Sequence, residues 1–288
     1  MSDGLATRTA GSRASARPLV RLGATPTLLA YARAVWQRRE FALAIPLAEL
    51  RAQNRNTVLG GLWHLINPLL HVGVYYLIFS VLLGTDRGMD NFLGFLAVGI
   101  FVFHYTSKSI KAGAGAIVSN EGLIRAVKFP RALLPVGAVI REFAALGYAA
   151  ATVLAVVLIT GERPSPAWVT AAPSLVLQTL FNVGVALGVA RLSHHFRDLR
   201  QVLPYALRIW LYLSGVIFSI EQRVTDPFFK AVLELNPAYI FIQGVRLPLL
   251  GDGPMPVRFW IAGSVWAGLA LVAGVLFFRS REHDYGRA

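Results

Sequence analysis

Residues 62–84 read LWHLINPLLHVGVYYLIFSVLLG, a stretch with no Asp, Glu, Lys or Arg. At ~1.5 Å per residue a helix of this length is roughly 33 Å long, enough for a hydrocarbon core of about 30 Å. Five further stretches pass the same test of length and apolarity: Phe92–Ile117, Phe143–Gly161, Pro166–Ala190, Gln201–Ile220 and Phe259–Phe278. The expected fold is an all-α membrane protein with six transmembrane helices. Composition agrees, since 55% of the 288 residues are hydrophobic and only 15% are charged, a balance unusual for a soluble domain. Lys108 and Lys111 fall in the last third of the second stretch and Arg208 in the fifth. Those helices are expected to run past the bilayer surface or to lift their charges to it.

Six spans put both termini on one side, and the cations say which. Residues 1–61, 108–142, 191–208 and 279–288 together hold 22 of the 28 Lys and Arg. That side is expected to face the cytoplasm, with Asp86–Asn91, Glu162–Pro164 and the long Glu221–Arg258 connection outside. The net charge of +13 is read as this orientation signal and not as a nucleic-acid surface.

Ahead of the first span, residues 1–26 carry Arg8, Arg13, Arg17 and Arg21 against the single acid Asp3, with no apolar core of a secretory signal. They read as a basic disordered tail, and a mitochondrial transit peptide is the alternative of similar composition. Residues 27–61 mix Leu28, Leu29, Tyr31, Val35 and Trp36 with Arg33, Arg38 and Arg39, as in an amphipathic helix lying in the inner interface. An ordinary soluble helix is the alternative. Residues 62–288 form the six-span domain.

The external connection, 221–258, carries its own helix starts. Asp226 before Pro227 and Asn236 before Pro237 each read as an N-cap followed by proline at the first helical position. Two short external helices are expected between spans five and six, the first with Phe228, Ala231, Val232 and Leu235 on one face. At nine or so residues, roughly 13 Å, neither crosses a bilayer, so both belong at or in the outer leaflet. A Gly- and Pro-rich stretch, Pro248–Pro256, leads into the last span.

Several chemistries are excluded or weak. With no cysteine and six scattered histidines, neither a thiolate metal site nor a metalloprotease helix is written in the chain, and no metal is expected. It has no Gly-Lys pair, so it lacks the phosphate-cradling loop of an ATPase. The centres of the spans carry no acid to bind a coupling ion. Glu142 beside Arg141 reads as a structural ion pair. The remaining cytoplasmic acids past the first span, Glu121, Asp198, Glu282 and Asp284, are scattered over three segments, which argues against a metal-dependent glycosyltransferase and for no catalytic residue.

Four motifs carry a resemblance. They are Thr57-Val58-Leu59-Gly60-Gly61-Leu62-Trp63 with Ile66-Asn67-Pro68-Leu69; Asn120-Glu121-Gly122-Leu123-Ile124-Arg125 through Lys128-Phe129-Pro130-Arg131 to Leu134-Pro135; Phe196-Arg197-Asp198-Leu199-Arg200; and Asn236-Pro237. In this order the chain resembles the permeases of ABC exporters that move lipid-linked polysaccharide, the Wzm and TagG type. Two departures stand out: the run before the first span, Leu50-Arg51-Ala52-Gln53-Asn54-Arg55, is less basic than is usual there, and the Ser-Pro-type motif of span five is Ser214-Gly215-Val216.

The resemblance implies a homodimer working with a separate cytoplasmic ATPase, which would hold the ATP and magnesium while this chain holds no cofactor. It implies that the loop 118–132 docks on that ATPase through Glu121, Ile124, Arg125, Lys128, Phe129 and Arg131. A merely orienting basic loop is the alternative on the residues alone. Arg197 and Asp198 read as a pair that positions span five, and Asn67-Pro68 as a kink or as a gap for a lipid head group. Tyr75, Tyr76, Phe79, Trp210, Tyr212 and Phe218 are candidates to stack on sugar faces in a tunnel, against the alternative of packing or an interface belt. The expected cargo is a polyprenyl-diphosphate-linked glycan of O-antigen, teichoic acid or galactan type, with membrane lipids as surroundings and no nucleic-acid partner. Arg- and Ala-rich composition looks actinobacterial and favours a galactan on decaprenyl diphosphate. A drug or small-lipid efflux permease and a non-transporting scaffold are the rival readings.

Overall fold

The computed structural model describes residues 62–84, 89–127, 129–251, 253 and 255–280. The tail, the amphipathic segment 27–61, Lys128 and residues 281–288 lie outside the described residues. Every regular element among those described is helical: α1 Trp63–Tyr76, α2 Phe92–Ala116, α3 Glu121–Ala126, α4 Leu133–Ile159, α5 Ala171–His195, α6 Leu199–Tyr212, α7 Ile220–Arg223, α8 Pro227–Glu234, α9 Pro237–Leu250 and α10 Val257–Arg279. The protein is an all-α membrane protein. Five helical segments are long and apolar enough to cross a bilayer: Leu65–Leu82, Phe92–Ala116, Leu133–Ile159, Pro166–His195 and Val257–Arg279. The first of them is α1 continued by a π-helical turn, Leu77–Leu82, which its sequence does not announce.

The expected fifth span is corrected. Gln201–Ile220 is not one helix: α6 stops at Tyr212, and Leu213–Ser219 is irregular before the single turn of α7. Its fourteen residues make about 21 Å at ~1.5 Å each, short of a bilayer core. Gly215 supplies the break, with φ at +61°, a conformation that residues with a Cβ avoid. Ser214 adds to it by donating its hydroxyl to the Trp210 carbonyl at 2.6 Å.

The two short helices expected between spans five and six also need one correction. Both start where expected, with Asp226 accepting from the amides of Phe228 and Phe229 and Asn236 from that of Ala238. But α9 runs fourteen residues through Pro248 and is almost wholly buried, whereas α8 exposes Phe228 and Phe229. The apolar run Tyr239–Val245 packs α9 against α2, α5 and α10, so neighbours on several sides carry the helix beyond the expected nine residues.

The core is built around α2, whose apolar window is 78% buried. It packs on α4 and α5, and α5 packs most closely on α10. There the backbones touch: a Cβ at Gly184 would run into the Ala270 backbone, and one at Gly274 into Gly184. Close small-residue contact is how helices gain packing in lipid, where apolar burial contributes little. Polar side chains tie the same helices together. Gln178 donates from Nε2 to the Val102 carbonyl and the Thr106 hydroxyl, both at 2.8 Å, and Tyr105 and Thr179 share a hydrogen bond of 2.8 Å. The π turn after α1 and the outward face of α10 are left apolar, Val81, Leu82, Ile261 and Leu269 among them, as a lipid-facing surface requires.

Candidate transport groove and coupling loop

α1 and its π turn stand on one side, and α6 on the other, of a groove of about 550 Å³ floored by α2. Two of the six tunnel candidates, Tyr75 and Tyr212, line it. The other four are turned elsewhere. Phe79 stacks on Tyr75 with centroids 6.1 Å apart, and Tyr76, one residue and about 100° round the helix, packs towards Phe92 at 6.3 Å. Trp210 lies edge-on to Phe103 at 5.7 Å, and Phe218 packs against the buried core.

Four groove residues that were not among the candidates are Lys111, Arg208, His71 and His104. Lys111 and Arg208 are exposed, and no acid is among the residues lining the groove. The two histidines meet edge to face at 4.7 Å, and His71 Nδ1 lies 2.8 Å from the Asn67 carbonyl. A signal existed: His104 and Lys111 are seven apart, and Arg208 and Tyr212 four apart, so each pair shares a helix face. The chemistry offered is an open, aromatic and cationic trough, suited to an anionic group with sugar or ring faces beside it.

Asn67 and Pro68 face a second, smaller cavity of about 70 Å³ between α1, α2 and α4, with His71, His104, Tyr105 and Glu142 also on its wall. Glu142 takes the Arg141 guanidinium at 3.3 Å, the local ion pair expected from their adjacency. Pro68 sits inside α1, where it removes one backbone donor.

At the broken end of α6, Asn236 is the organising residue. Its Nδ2 donates to the Leu213 carbonyl at 3.0 Å and the Ser214 hydroxyl at 3.1 Å. Its Oδ1 accepts from Trp210 Nε1 at 2.8 Å and from the amide of Ala238 at 3.0 Å. One side chain thus caps α9 and holds the end of α6, while Pro237 supplies the first residue of α9. Trp210 is accordingly tied to this joint.

The loop after α2 folds as a 3₁₀ turn, Val118–Asn120, and the one-and-a-half turns of α3. The helix ends at Ala126, where Val127 is already extended, ahead of Pro130. Ile124 is turned inward, packing with Ile117, Ala132, Leu187, Ala190 and Phe278, and Phe129 is half-buried against the same group. Arg125 points outward, within 3.9 Å of Glu121 one turn earlier, and Arg131 is half-buried. Ile124 and Phe129 therefore anchor the loop while Glu121 and Arg125 present its charged side. Arg197 and Asp198 are both exposed, with no ion pair between them among the described residues; the Asp198 backbone carbonyl accepts from Gln201 at 2.9 Å to start α6. No cluster of three or more His, Asp or Glu able to hold a metal occurs among the described residues.

The described residues thus form a multi-pass helical membrane bundle with one broken apolar stretch and a short helical loop between two of its long helices. The profile of the ABC-2 type transporter family matches residues 43–250, more than half of the chain, and the chain belongs to that family. It is similar to the O-antigen export system permease protein RfbA of Myxococcus xanthus, 27% identical over 205 residues, or 71% of this chain and 78% of the relative. It is also similar to the protein of the same name from Klebsiella pneumoniae, 24% identical over 247 residues, covering 85% and 93%. The inner membrane transport permease YadH of Escherichia coli (strain K12) is 25% identical over 229 residues, covering 75% and 88%.

Proposed function

We propose that the chain is the membrane-spanning half of an exporter that carries polyprenyl-diphosphate-linked polysaccharide across the plasma membrane. It works as a homodimer, both termini in the cytoplasm, driven by a separate ABC ATPase that binds the ATP and magnesium. The observation that carries the reading is the groove in which Tyr75 and Tyr212 lie with Lys111 and Arg208 and no acid. Cations without a local counter-charge favour a diphosphate, and the half-buried Tyr75 with the exposed Tyr212 favours sugar faces that must slide past without a single tight site. The names of the Myxococcus and Klebsiella relatives support a glycan cargo. A galactan on decaprenyl diphosphate is the preferred substrate because of the Arg- and Ala-rich composition.

The test is depletion of the chain in its host, with lipid-linked glycan measured on the inner face of the membrane. The expected outcome is accumulation of that glycan. Unchanged glycan export with loss of drug or small-lipid efflux would replace this reading with the efflux one. For the coupling loop, Arg125→Glu combined with Lys128→Glu is expected to reduce copurification of the ATPase while leaving the permease folded; at Arg125, which is exposed, a surface substitution costs within about 0.5 kcal/mol. Full copurification and normal export by that double variant would remove the docking role from 118–132.

A further inference from the structure

Arg246 sits in the middle of α9, 5% exposed, and none of the ion pairs among the described residues includes it. Its partners are backbone carbonyls. Nη1 donates to Gly215 at 3.0 Å, and Nη2 to Phe95 at 3.0 Å and to Val216 at 3.5 Å. The Phe95 ring covers the guanidinium at 3.5 Å from its centroid, and Nε has no partner. Even the opposite wall is fitted to it, because a Cβ at Gly99 would overlap Nη2.

A buried cation with no counter-charge is expensive, so its placement needs a reason. The break after α6 provides one. Where a span unwinds, its carbonyls lose their helical donors and, away from water, must find others. Gly215 and Val216 belong to that break. A guanidinium is a planar fork with five donors, able to reach carbonyls of two elements at once; an ammonium on a similar stem is a point donor. Asn236 already grips Leu213 and Ser214 from the start of α9, and Arg246 grips the next two residues from its middle.

We infer that Arg246 is a positioning residue that locks the broken end of the fifth apolar stretch, helix α9 and the first turn of α2 into one body. Opening of the path therefore does not take place at this junction. The inference does not depend on the cargo.

The chain has no cysteine, so single introduced thiols report cleanly. Val216→Cys and, as a control in the α2–α5 contact, Ala186→Cys both replace residues that are 0% exposed. Labelling by a small methanethiosulfonate reagent is measured in intact cells, energised and de-energised. With Arg246 intact, Val216→Cys is expected to stay protected in both conditions. Adding Arg246→Gln is expected to speed its labelling by on the order of tenfold or more, the consequence of losing charge-assisted hydrogen bonds, with Arg246→Lys between the two. Phe95→Leu keeps the carbonyl but removes the ring and is expected to give a smaller rise. Throughout, Ala186→Cys stays protected. Three results would each overturn the inference: protection of Val216→Cys that survives Arg246→Gln, exposure of Val216→Cys on energisation with Arg246 in place, or labelling of Ala186→Cys in parallel, which would make Arg246 a residue of the overall fold. The energised measurement decides even where Arg246→Gln yields no folded protein.

Discussion

α2 and α6 begin from similar material, an apolar stretch with cations near its inner part, and end in different places. α2 is held on all sides by α4, α5, α9 and α1 and stays helical for twenty-five residues. α6 is held on one side: Leu207 and Leu211 are its buried residues, while Val202, Tyr205, Ile209 and Tyr212 are exposed. Polar groups divide face by face. On its packed side α2 has Thr106 and Tyr105 bonded within the bundle by Gln178 and Thr179, while its His104 and Lys111 share the groove with Arg208 and Tyr212 of α6. The difference teaches that the bundle has a closely packed body, α2 with α4, α5, α9 and α10, and a wall, α1 with α6, that retains an exposed face.

The largest expected effect comes from breaking the packed body. Gly184→Leu puts a side chain where the Ala270 backbone already lies, and should cost about 3 kcal/mol, the upper part of the usual overpacking range. Thermal unfolding in detergent, together with the yield of monodisperse protein, checks it. A variant as stable as the parent would mean that α5 and α10 are not in backbone contact.

Changing the wall should separate function from fold. Lys111→Glu with Arg208→Glu is expected to lower export on the order of tenfold or more, as the loss of a charged contact worth about 1.5–3 kcal/mol implies, with unfolding temperature unchanged. Export at the parental rate would detach the groove from transport. Next in size is Gly215→Ala at the break, where φ of +61° and atoms of Ile220 and Tyr239 at 3.1 Å from the new Cβ leave little room. A loss of about 1–2 kcal/mol is expected from the left-handed backbone alone. A gain in stability would mean that the stretch relaxes into the continuous helix its composition suggested. The smallest change is Gln178→Leu, which removes two donors shared with α2; interhelical bonds of this kind average about 0.6 kcal/mol in a membrane and reach about 1.7. The same substitution strategy on α6, Arg208→Leu, should change stability less, since its side chain is exposed.

Periodicity and apolar length made five of the six expected spans legible, because a bilayer imposes its thickness on any helix that crosses it. The helix starts at Asp226-Pro227 and Asn236-Pro237 were equally legible, since capping is settled within four residues. The break at Gly215 was not. Hydropathy is blind to backbone handedness, and Ser214-Gly215 in an apolar stretch is compatible with a helix until Asn236 and Arg246 supply donors for its freed carbonyls. Among the aromatics the sequence could name six rings but not their directions. Tyr75 and Tyr76 differ by one residue, and only the positions of Phe92 and α6 decide that the first lines the groove and the second the core.

By itself, the sequence determined an all-α membrane chain, the location of most of its long apolar helices and the caps of α8 and α9, all of which rest on short-range chemistry or on the bilayer as solvent, and it carried the family resemblance in its motifs. The tertiary structure alone decided which stretch is broken, that α9 is buried, and that Lys111, Arg208, Tyr75 and Tyr212 share one groove. These depend on contacts between residues as far apart as Phe95 and Arg246, and no local pattern encodes where a partner 151 residues away will lie.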